Sequence, residues 1–428
     1  MPQKTFHIPL IAHTLPNKDY FFCAHTQKTY NMSNWLTERG HDVRVYGHED
    51  GAKTINCTEY IPTITAREFE QSYGDPLEGN KLLEFSCTQD YAWKLHTLKT
   101  SFEMQERVKE DHFILCFYGR CHKAIADAIS HVPCHIVEPS VGYMGTFAKY
   151  RVFESSAWMH FQRGRMWNRL ENWARLSDEE KELSPYDPTT MVHFESPEPQ
   201  DAVIHSGFDP DNFEISENRG DYYLCVSRVV PNKGIEEAVE LSRAKGKKLI
   251  VAGPGDFEKE LRMPVPSHVE CVGRVDIPTR KKLMAEAEAV IAMSRCIETY
   301  GFTPIEAMLS GTVPIVRPLG GHKETVINGV TGFHARNYAG ALDCLDRLDE
   351  IDPETCRKYA IDNFGKDVTM KKYDAYFESL LHHIRNVEAS GNVYYETPDF
   401  LDESCLYNRS IPITGDSSVV VSPEENEN

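Results

Sequence analysis

The chain has 428 residues, of which 41% are hydrophobic and 26% are charged, and this length and balance predict two or three globular domains. Its formal net charge of -19 repels polyphosphate backbones, which excludes nucleic acid as the main partner. The sequence has no apolar run of about 18 residues, so we expect no membrane-spanning helix, while a peripheral contact with a membrane surface stays open.

The 12 cysteines are scattered along the chain without a CxxC pair or a zinc-binding spacing. This pattern is typical of reduced thiols in a cytoplasmic protein. The first twenty residues lack a long apolar segment and a small-residue cleavage site, which also favours the cytoplasm.

The N-terminal half alternates apolar runs with helical patterns. The apolar runs predict strands over His7–Ala12, Val43–Gly47, Phe113–Tyr118 and Cys134–Val137. Helical spacing predicts helices over Tyr30–Arg39 and Lys123–Ile129. Such alternation is typical of a parallel sheet whose carboxyl ends open onto a crevice.

The C-terminal half shows the same alternation more clearly. Five apolar runs predict strands over Tyr222–Ser227, Lys248–Ala252, His268–Val272, Ala289–Met293 and Thr312–Val316. Helices are predicted over Gly234–Lys245, Pro278–Glu286 and Pro304–Leu309, the last with Thr303 as its N-cap. The strands are continuous apolar runs, which indicates a parallel sheet buried on both faces.

We therefore predict an α/β fold with two Rossmann-like domains, over residues 1–206 and 207–365. The acidic, Pro-rich segment Leu176–Gln200 is predicted to form surface loops. Residues 366–390 are predicted to form a helix, for which a return to the N-terminal domain stays open. Residues 391–428 are expected to be an acidic, extended or disordered tail.

Two glutamates flank a glycine between the fourth predicted strand of the C-terminal half and the next helix. Glu298 lies in the loop, Glu306 lies in the first turn of the helix, and Gly301 permits a close approach of the backbone to a ligand. The free N–H groups at the helix start attract an anion. The segment therefore offers two carboxylates for sugar hydroxyls and a helix end for phosphate, although a capped helix with two surface glutamates also fits.

Cations and glycines follow the other strands of this half. Guanidinium and ammonium groups both suit phosphate oxygens, and glycines admit a ligand close to the backbone. These residues are Ser227, Arg228 and Lys233 after the first strand, Gly253 after the second, Gly273 and Arg274 after the third, and Gly320 and Gly321 after the fifth. Since all these loops lie at one edge of a parallel sheet, they indicate a single site.

The segment from Tyr222 to Phe333 strongly resembles the GT-B-fold glycosyltransferases of family 4, among the group 1 glycosyltransferases. Glu298 and Glu306 match the Glu-x7-Glu motif of that family, and the segment Ser227–Gly234 matches its strand, Arg and Lys-Gly element. The runs GTVPIV, GGHKE and NGVTGF follow in the same order as in the family.

The resemblance implies retaining transfer of a sugar from a nucleotide-diphosphate-sugar to a hydroxyl acceptor such as a glycan or lipid, with no metal ion and no other cofactor. Arg228 and Lys233 would neutralise the diphosphate, Glu298 would hold hydroxyls of the donor sugar, and Glu306 would hold the ribose. The predicted donor site comprises Ser227, Arg228, Lys233, Gly253, Gly273, Arg274, Glu298, Gly301, Phe302, Thr303 and Glu306, the N–H groups of Phe302 and Thr303 holding phosphate.

The N-terminal half departs from the family pattern. The Gly-rich loop expected after the first strand is replaced by His25–Tyr30, in which Lys28 either supplies a compensating cation or is an ordinary helix-start cation. Glu138 stands at a strand end where the family usually has His, so we predict that it is catalytic and contacts the acceptor hydroxyl; a buried, hydrogen-bonded carboxylate is the alternative. The other acceptor-side candidates are His122, Glu154 and His160, the last two in a helix predicted over Arg151–His160.

Three other functions are alternatives to sugar transfer. A GT-B nucleotide-sugar epimerase would need acid and base groups in the N-terminal domain. A non-catalytic sugar-nucleotide-binding relative would be expected to lose some of the two cations and two glutamates, which this chain retains. A dehydrogenase is disfavoured because the segment that starts at Gly253 lacks the last glycine of the dinucleotide fingerprint.

Overall fold

The computed structural model describes residues 2–17, 23–74, 85–174, 177 and 200–388. The chain divides into two compact units, Met1–Asp374 and Ala375–Asn428, and the first contains both of the β-sheets described below. In these described ranges, no helix combines the length and the apolar character needed to cross a lipid bilayer.

The first sheet is parallel throughout and has the strand order β3-β2-β1-β4-β5-β6-β7. Its strands are β1 (Thr5–Pro9), β2 (Asp42–His48), β3 (Glu59–Ile64), β4 (Phe113–Leu115), β5 (His135–Val141), β6 (Tyr150–Phe153) and β7 (Ala202–Val203). The associated helices are α1 (Ala24–Glu38), α2 (Ala66–Tyr73), α3 (Tyr91–Arg107), α4 (Lys123–Ala128) and α5 (Ser156–Ala174).

The second sheet is also parallel, with the order β10-β9-β8-β11-β12-β13. Its strands are β8 (Tyr222–Val226), β9 (Lys248–Ala252), β10 (Val269–Gly273), β11 (Ala289–Ala292), β12 (Val313–Val316) and β13 (Phe333–His334). Its helices are α6 (Ile235–Lys245), α7 (Phe257–Leu261), α8 (Ile277–Glu286), α9 (Phe302–Leu309), α10 (His322–Thr325), α11 (Tyr338–Leu345) and α12 (Pro353–Phe364).

Continuous apolar runs form the central strands, and both of their faces are buried. In the second sheet, Leu224, Leu249, Val290 and Ile315 have no exposed surface, because helices cover the sheet on each side. Short polar residues cap several of the helices: the Asp276 carboxylate accepts from the Thr279 N–H at the start of α8. These caps and the short connections hold the carboxyl-end loops of the sheet in place.

The N-terminal half contains the larger departures from the sequence predictions. The helix predicted over Arg151–His160 is wrong in its first part: residues Tyr150–Phe153 form β6, which pairs with β5, and the helix begins at Ser156. A short apolar stretch fits either a helix or a strand, and pairing with β5 makes this one a strand. Helix α1 begins at Ala24, six residues before its predicted start. The short strands β3 and β7 were not predicted from the sequence.

The change from one sheet to the other falls between Val203 and Tyr222. Helix α13 (Lys366–His383) follows the second sheet, and within the first unit its Tyr373 hydroxyl lies 3.0 Å from the Ser140 hydroxyl of β5. Asp374 forms an ion pair with Arg39 after α1. In the second unit, the helix continues to His383 and is followed by a π-helical turn, Ile384–Glu388. The predicted tail and most of the segment 176–200 lie outside the described residues.

Candidate functional site

The loops after β8, β9 and β10 meet through their backbones. The Gly253 N–H donates to the Gly273 carbonyl over 2.7 Å. A Cβ on Gly253 would lie 1.9 Å from the Ser227 carbonyl oxygen, so only glycine permits this approach. Arg274 follows directly and is half-buried. The structure thus brings together four of the predicted donor-site residues at one edge of the sheet.

Lys233 and Glu298 form an ion pair at the same edge, with 2.6 Å between Nζ and Oε1. The Ser294 hydroxyl donates to the same carboxylate. Burial alone would raise the pKa of Glu298, but the Lys233 charge and these hydrogen bonds lower it, so the carboxylate is ionised at neutral pH. A cation and an anion predicted to contact different parts of one donor therefore lie in direct contact.

The helix start beside this pair differs from the prediction. Helix α9 begins at Phe302, and Gly301, at φ +109°, occupies the N-cap position in place of Thr303. Thr303 lies inside the first turn, where its hydroxyl donates to the Val226 carbonyl at the end of β8. Gly301 is required because a Cβ there would approach the His322 ring to 2.6 Å. The N–H groups at the start of α9 still lie beside the Glu298 loop.

Glu306 is buried in α9 and forms an ion pair with Arg280 of α8. The sequence analysis missed Arg280, because its distance along the chain from Glu306 gave no signal. His322 was not singled out either. It is buried beside Glu298 and Gly301, its Nδ1 donates to the Arg317 carbonyl, and burial lowers its pKa.

Arg228 is exposed, in contrast to the buried and paired Glu306. It lies close enough to Tyr118 of the N-terminal half for its charge to act on the phenol, opposing the rise in the pKa of Tyr118 that burial causes. Tyr118 follows β4, and its ring packs edge-on against His25 at a centroid distance of 4.8 Å. The guanidinium of Arg228 therefore lies where the carboxyl-end loops of the two sheets approach each other.

Glu138 is fully buried in β5 and supports a neighbouring loop. Its Oε2 accepts the N–H groups of Phe147 and Ala148, each over 2.8 Å, and its Oε1 accepts the Tyr143 hydroxyl over 3.2 Å. Burial raises the pKa of Glu138 to about 7, against the opposing effect of these donors. Since the carboxylate has no exposed face, this geometry favours the alternative of a buried, hydrogen-bonded group over contact with an acceptor.

The other acceptor-side candidates lie in different environments. His122 is fully buried, its Nε2 donates to the Leu10 carbonyl over 3.2 Å, and burial lowers its pKa to about 4. His160 is exposed on α5. Glu154 is buried at the end of β6, where Lys28 Nζ lies 2.7 Å from Oε2 and the Ser206 hydroxyl donates to Oε1. The structure does not bring these three candidates into one cluster.

Lys28 is not a helix-start cation, the second of its two predicted roles, and a role as a compensating cation stays a prediction. It lies inside α1 rather than at its start, and it is committed to the buried pair with Glu154. Its Nζ also lies 5.6 Å from the centre of the Phe302 ring at the start of α9.

Among the residues in the described ranges, no group of three or more His, Cys, Asp or Glu side chains could hold a metal ion. The absence of a metal requirement stays a prediction.

Residues 209–360 match the family model described as Glycosyl transferases group 1. The chain is 28% identical over 204 residues to an uncharacterized glycosyltransferase, MJ1607, of Methanocaldococcus jannaschii, covering 42% of this chain and 52% of that protein. It is 27% identical over 190 residues to a glycogen synthase of Pseudomonas aeruginosa, covering 40% and 37%. The chain thus matches about half, or less, of the length of these curated relatives.

The solved structure of Anabaena Alr3699/HepE in complex with UDP and glucose has a TM-score of 0.57 to this chain, with 15% identity, covering 90% of this chain and 100% of that one. Together with the two parallel sheets, this likeness shows that the fold is GT-B, as predicted. The predicted likeness to group 1 glycosyltransferases is confirmed for the segment 209–360. Assignment to family 4 and retention of configuration stay predictions.

Proposed function

We propose that this chain is a retaining glycosyltransferase that moves a sugar from a nucleoside diphosphate sugar to a hydroxyl acceptor. The observation that carries the proposal is the contact between Lys233 and Glu298 beside the first turn of α9, at the sheet edge where Arg228 is exposed. The match to glycosyl transferases group 1 over residues 209–360 supports it independently.

In this proposal the donor diphosphate lies against Arg228, Lys233 and the N–H groups of α9. When the bond between the anomeric carbon and the diphosphate oxygen breaks, negative charge grows on the leaving group, and fixed cations and a helix N-terminus stabilise it. The acceptor oxygen bonds to the same face of the sugar, and its proton passes to the leaving phosphate. No protein nucleophile is required for this sequence of events.

The carboxylates bind the two ends of the donor. Glu298 would accept hydrogen bonds from sugar hydroxyls, and its ionised state makes it the stronger acceptor. Glu306, with Arg280 fixing its carboxylate, would bind the ribose hydroxyls. Glu138 is not one of the proposed catalytic residues, because its carboxylate is enclosed by hydrogen-bond donors of the protein.

A thermal-shift screen of UDP, GDP and ADP and their sugar conjugates tests donor binding, since a ligand that binds the folded state raises the melting temperature. Release of nucleoside diphosphate is then followed with and without a panel of monosaccharide acceptors, and NMR of the product reads its anomeric configuration. Transfer with retention is expected. A sugar nucleotide that is isomerised without any acceptor would support the epimerase instead, and no binding by any nucleotide would refute the proposal.

A further inference from the structure

A carboxylate on a helix of the C-terminal half binds the N-terminus of a helix of the N-terminal half. Glu324 of α10 accepts the Ser156 N–H at Oε2 over 2.9 Å and the Ala157 N–H at Oε1 over 2.6 Å. Both donors lie in the first turn of α5. The helix macrodipole and these free N–H groups make this end of a helix a favourable place for a carboxylate.

Helix α5 already has a cap of its own. The Ser155 hydroxyl accepts the Trp158 N–H over 3.1 Å, which is the usual N-cap interaction. The same hydroxyl donates to the Thr299 carbonyl over 2.6 Å. All of the first three N–H groups of α5 are therefore satisfied, two of them by Glu324, and the helix start has two separate contacts with the other sheet.

One of these contacts comes from the loop that carries Glu298, and the other comes from α10, whose preceding glycines pack on that loop. The Gly321 N–H donates to the Glu298 carbonyl over 2.8 Å, and Gly320 forms a β-bridge with Glu298. A Cβ on Gly321 would lie 2.2 Å from the Tyr300 carbonyl oxygen, so the two backbones are packed directly together. Since Thr299 belongs to this loop and Glu324 follows these glycines, both contacts are connected to Glu298 through packed backbone.

The residues before α5, on the other side of the Glu324 contact, also have polar partners. Ser155 and Ser156 follow Glu154, which is held by Lys28 and Ser206. His205 Nε2 lies 3.6 Å from the Glu324 carboxylate and adds a second polar neighbour from the connection between the sheets. The residues on both sides of the Glu324 contact are therefore held by further polar contacts.

We propose that Glu324 is a positioning residue: it joins the loop that binds the donor sugar to the start of α5 and so holds the acceptor side in place for transfer. This inference rests on the proposed function. A donor bound at Glu298 would strengthen the hydrogen bonds between Glu324 and the start of α5. Loss of Glu324 would lower the rate of transfer without weakening donor binding.

The first experiment measures hydrogen exchange of single amides by mass spectrometry with electron-transfer fragmentation, in wild type, Glu324→Ala and Glu324→Gln. Loss of hydrogen bonds to a charged acceptor should speed exchange at Ser156 and Ala157 by about tenfold in Glu324→Ala, with Trp158 unchanged under its own cap. In Glu324→Gln, the exchange rates of these two amides should lie between those of wild type and Glu324→Ala, because the glutamine side chain retains one acceptor oxygen. Glu354→Gln, an exposed carboxylate in the first turn of α12, is the matched control and should match wild type.

The second experiment adds the UDP, GDP or ADP sugar conjugate that binds in the screen, so that Glu298 is occupied, and measures transfer to an acceptor. In wild type, the bound nucleotide should slow exchange at Ser156 and Ala157, and Glu324→Ala should lose this response together with most of kcat, while the donor KM changes less than kcat. Wild-type exchange or wild-type kcat in Glu324→Ala would overturn the inference, as would an unchanged response to bound nucleotide. If no nucleotide binds to wild type, the proposed function fails, whereas the first experiment still decides whether Glu324 holds α5.

Discussion

Lys28 Nζ lies 2.7 Å from Glu154 Oε2, and the exposed fractions of the two side chains are 4% and 1%. A buried ion pair is a poor source of net stability, but the removal of one partner leaves an uncompensated charge in a medium of low polarity. The pair joins α1 to the end of β6, directly before the helix start that Glu324 contacts. It is therefore expected to hold α1 against the residues that precede α5.

Lys28→Met should lower the free energy of unfolding by about 3–5 kcal/mol, because Glu154 then remains buried without its cation. The double variant Lys28→Met/Glu154→Gln should recover a large part of this loss, since neither charge is left. Urea unfolding of the two variants measures the difference. Equal losses in both would show that packing, rather than the unpaired charge, dominates; Lys53→Met, which breaks an exposed pair with Asp50, is the surface control.

Gly142→Ala should disturb the same pair from the other side. A Cβ at position 142 would lie 1.9 Å from Glu154 Oε2, and overpacking of this kind costs about 1–3 kcal/mol. Gly164→Ala in α5 is the matched control, since its Cβ meets no atom within 4 Å and should stabilise the helix by about 1 kcal/mol. Melting temperatures that shift in the same direction for both substitutions would contradict the placement of Gly142.

Arg228→Ala should lower kcat by about 100-fold, because a fixed cation no longer faces the leaving diphosphate. Arg228 is exposed, so the substitution should leave the melting temperature close to that of wild type. Arg243→Ala, which removes an exposed arginine paired with Glu240 on α6, is the control and should retain wild-type kcat. Steady-state rates with a saturating donor decide the matter: an unchanged rate in Arg228→Ala would remove it from the catalytic set.

Glu306→Gln should weaken nucleotide binding by about tenfold, as expected for the loss of a charge-assisted hydrogen bond to the ribose. The amide keeps the size of the side chain, although it weakens the ion pair with Arg280. Calorimetric titration with the nucleotide found in the screen measures the affinity. Glu270→Gln, an exposed carboxylate on β10, is the control, and equal affinity of both variants would show that Glu306 does not contact the donor.

The raised pKa of Glu138 makes stability depend on pH. Folding raises it from 4.5 to about 7, so the folded state binds a proton more tightly than the unfolded chain, and the free energy of unfolding falls as pH rises between these values. Glu138→Gln should remove this decrease, because its oxygen still accepts the two backbone N–H groups and no charge is buried. Unfolding midpoints measured from pH 5 to pH 8 should be flatter in Glu138→Gln than in wild type; parallel curves would contradict the shifted pKa.

The motifs predicted which loops meet at one edge of the second sheet, because parallel strands bring their carboxyl-end loops to one edge. Lys233 and Glu298 are far apart in sequence, and the topology alone brings them to 2.6 Å. The N-cap of α9 was mispredicted because proline favours the first position of a helix, whereas Pro304 is the third residue of α9. The close packing of His322 against the backbone of residue 301 overrides that preference.

The surroundings of the acceptor-side candidates could not be predicted from the sequence, for a different physical reason. Glu138, Glu154 and His122 are all polar residues near strand ends, and nothing in their local sequence says whether a partner encloses them. Amide groups of the following loop enclose Glu138, and α1 supplies the cation for Glu154. Burial of a charged group is a property of all the elements around it.

The sequence by itself determined the two parallel α/β sheets and the edge at which the proposed donor-binding loops lie, because apolar periodicity and strand–helix alternation are local properties that each segment carries. Only the tertiary structure decided which carboxylates are paired, enclosed or shared between the sheets. The contacts of Glu306 with Arg280 and of Glu324 with the start of α5 join segments distant along the chain. Their energies depend on distance and burial in space, which no single stretch of sequence specifies.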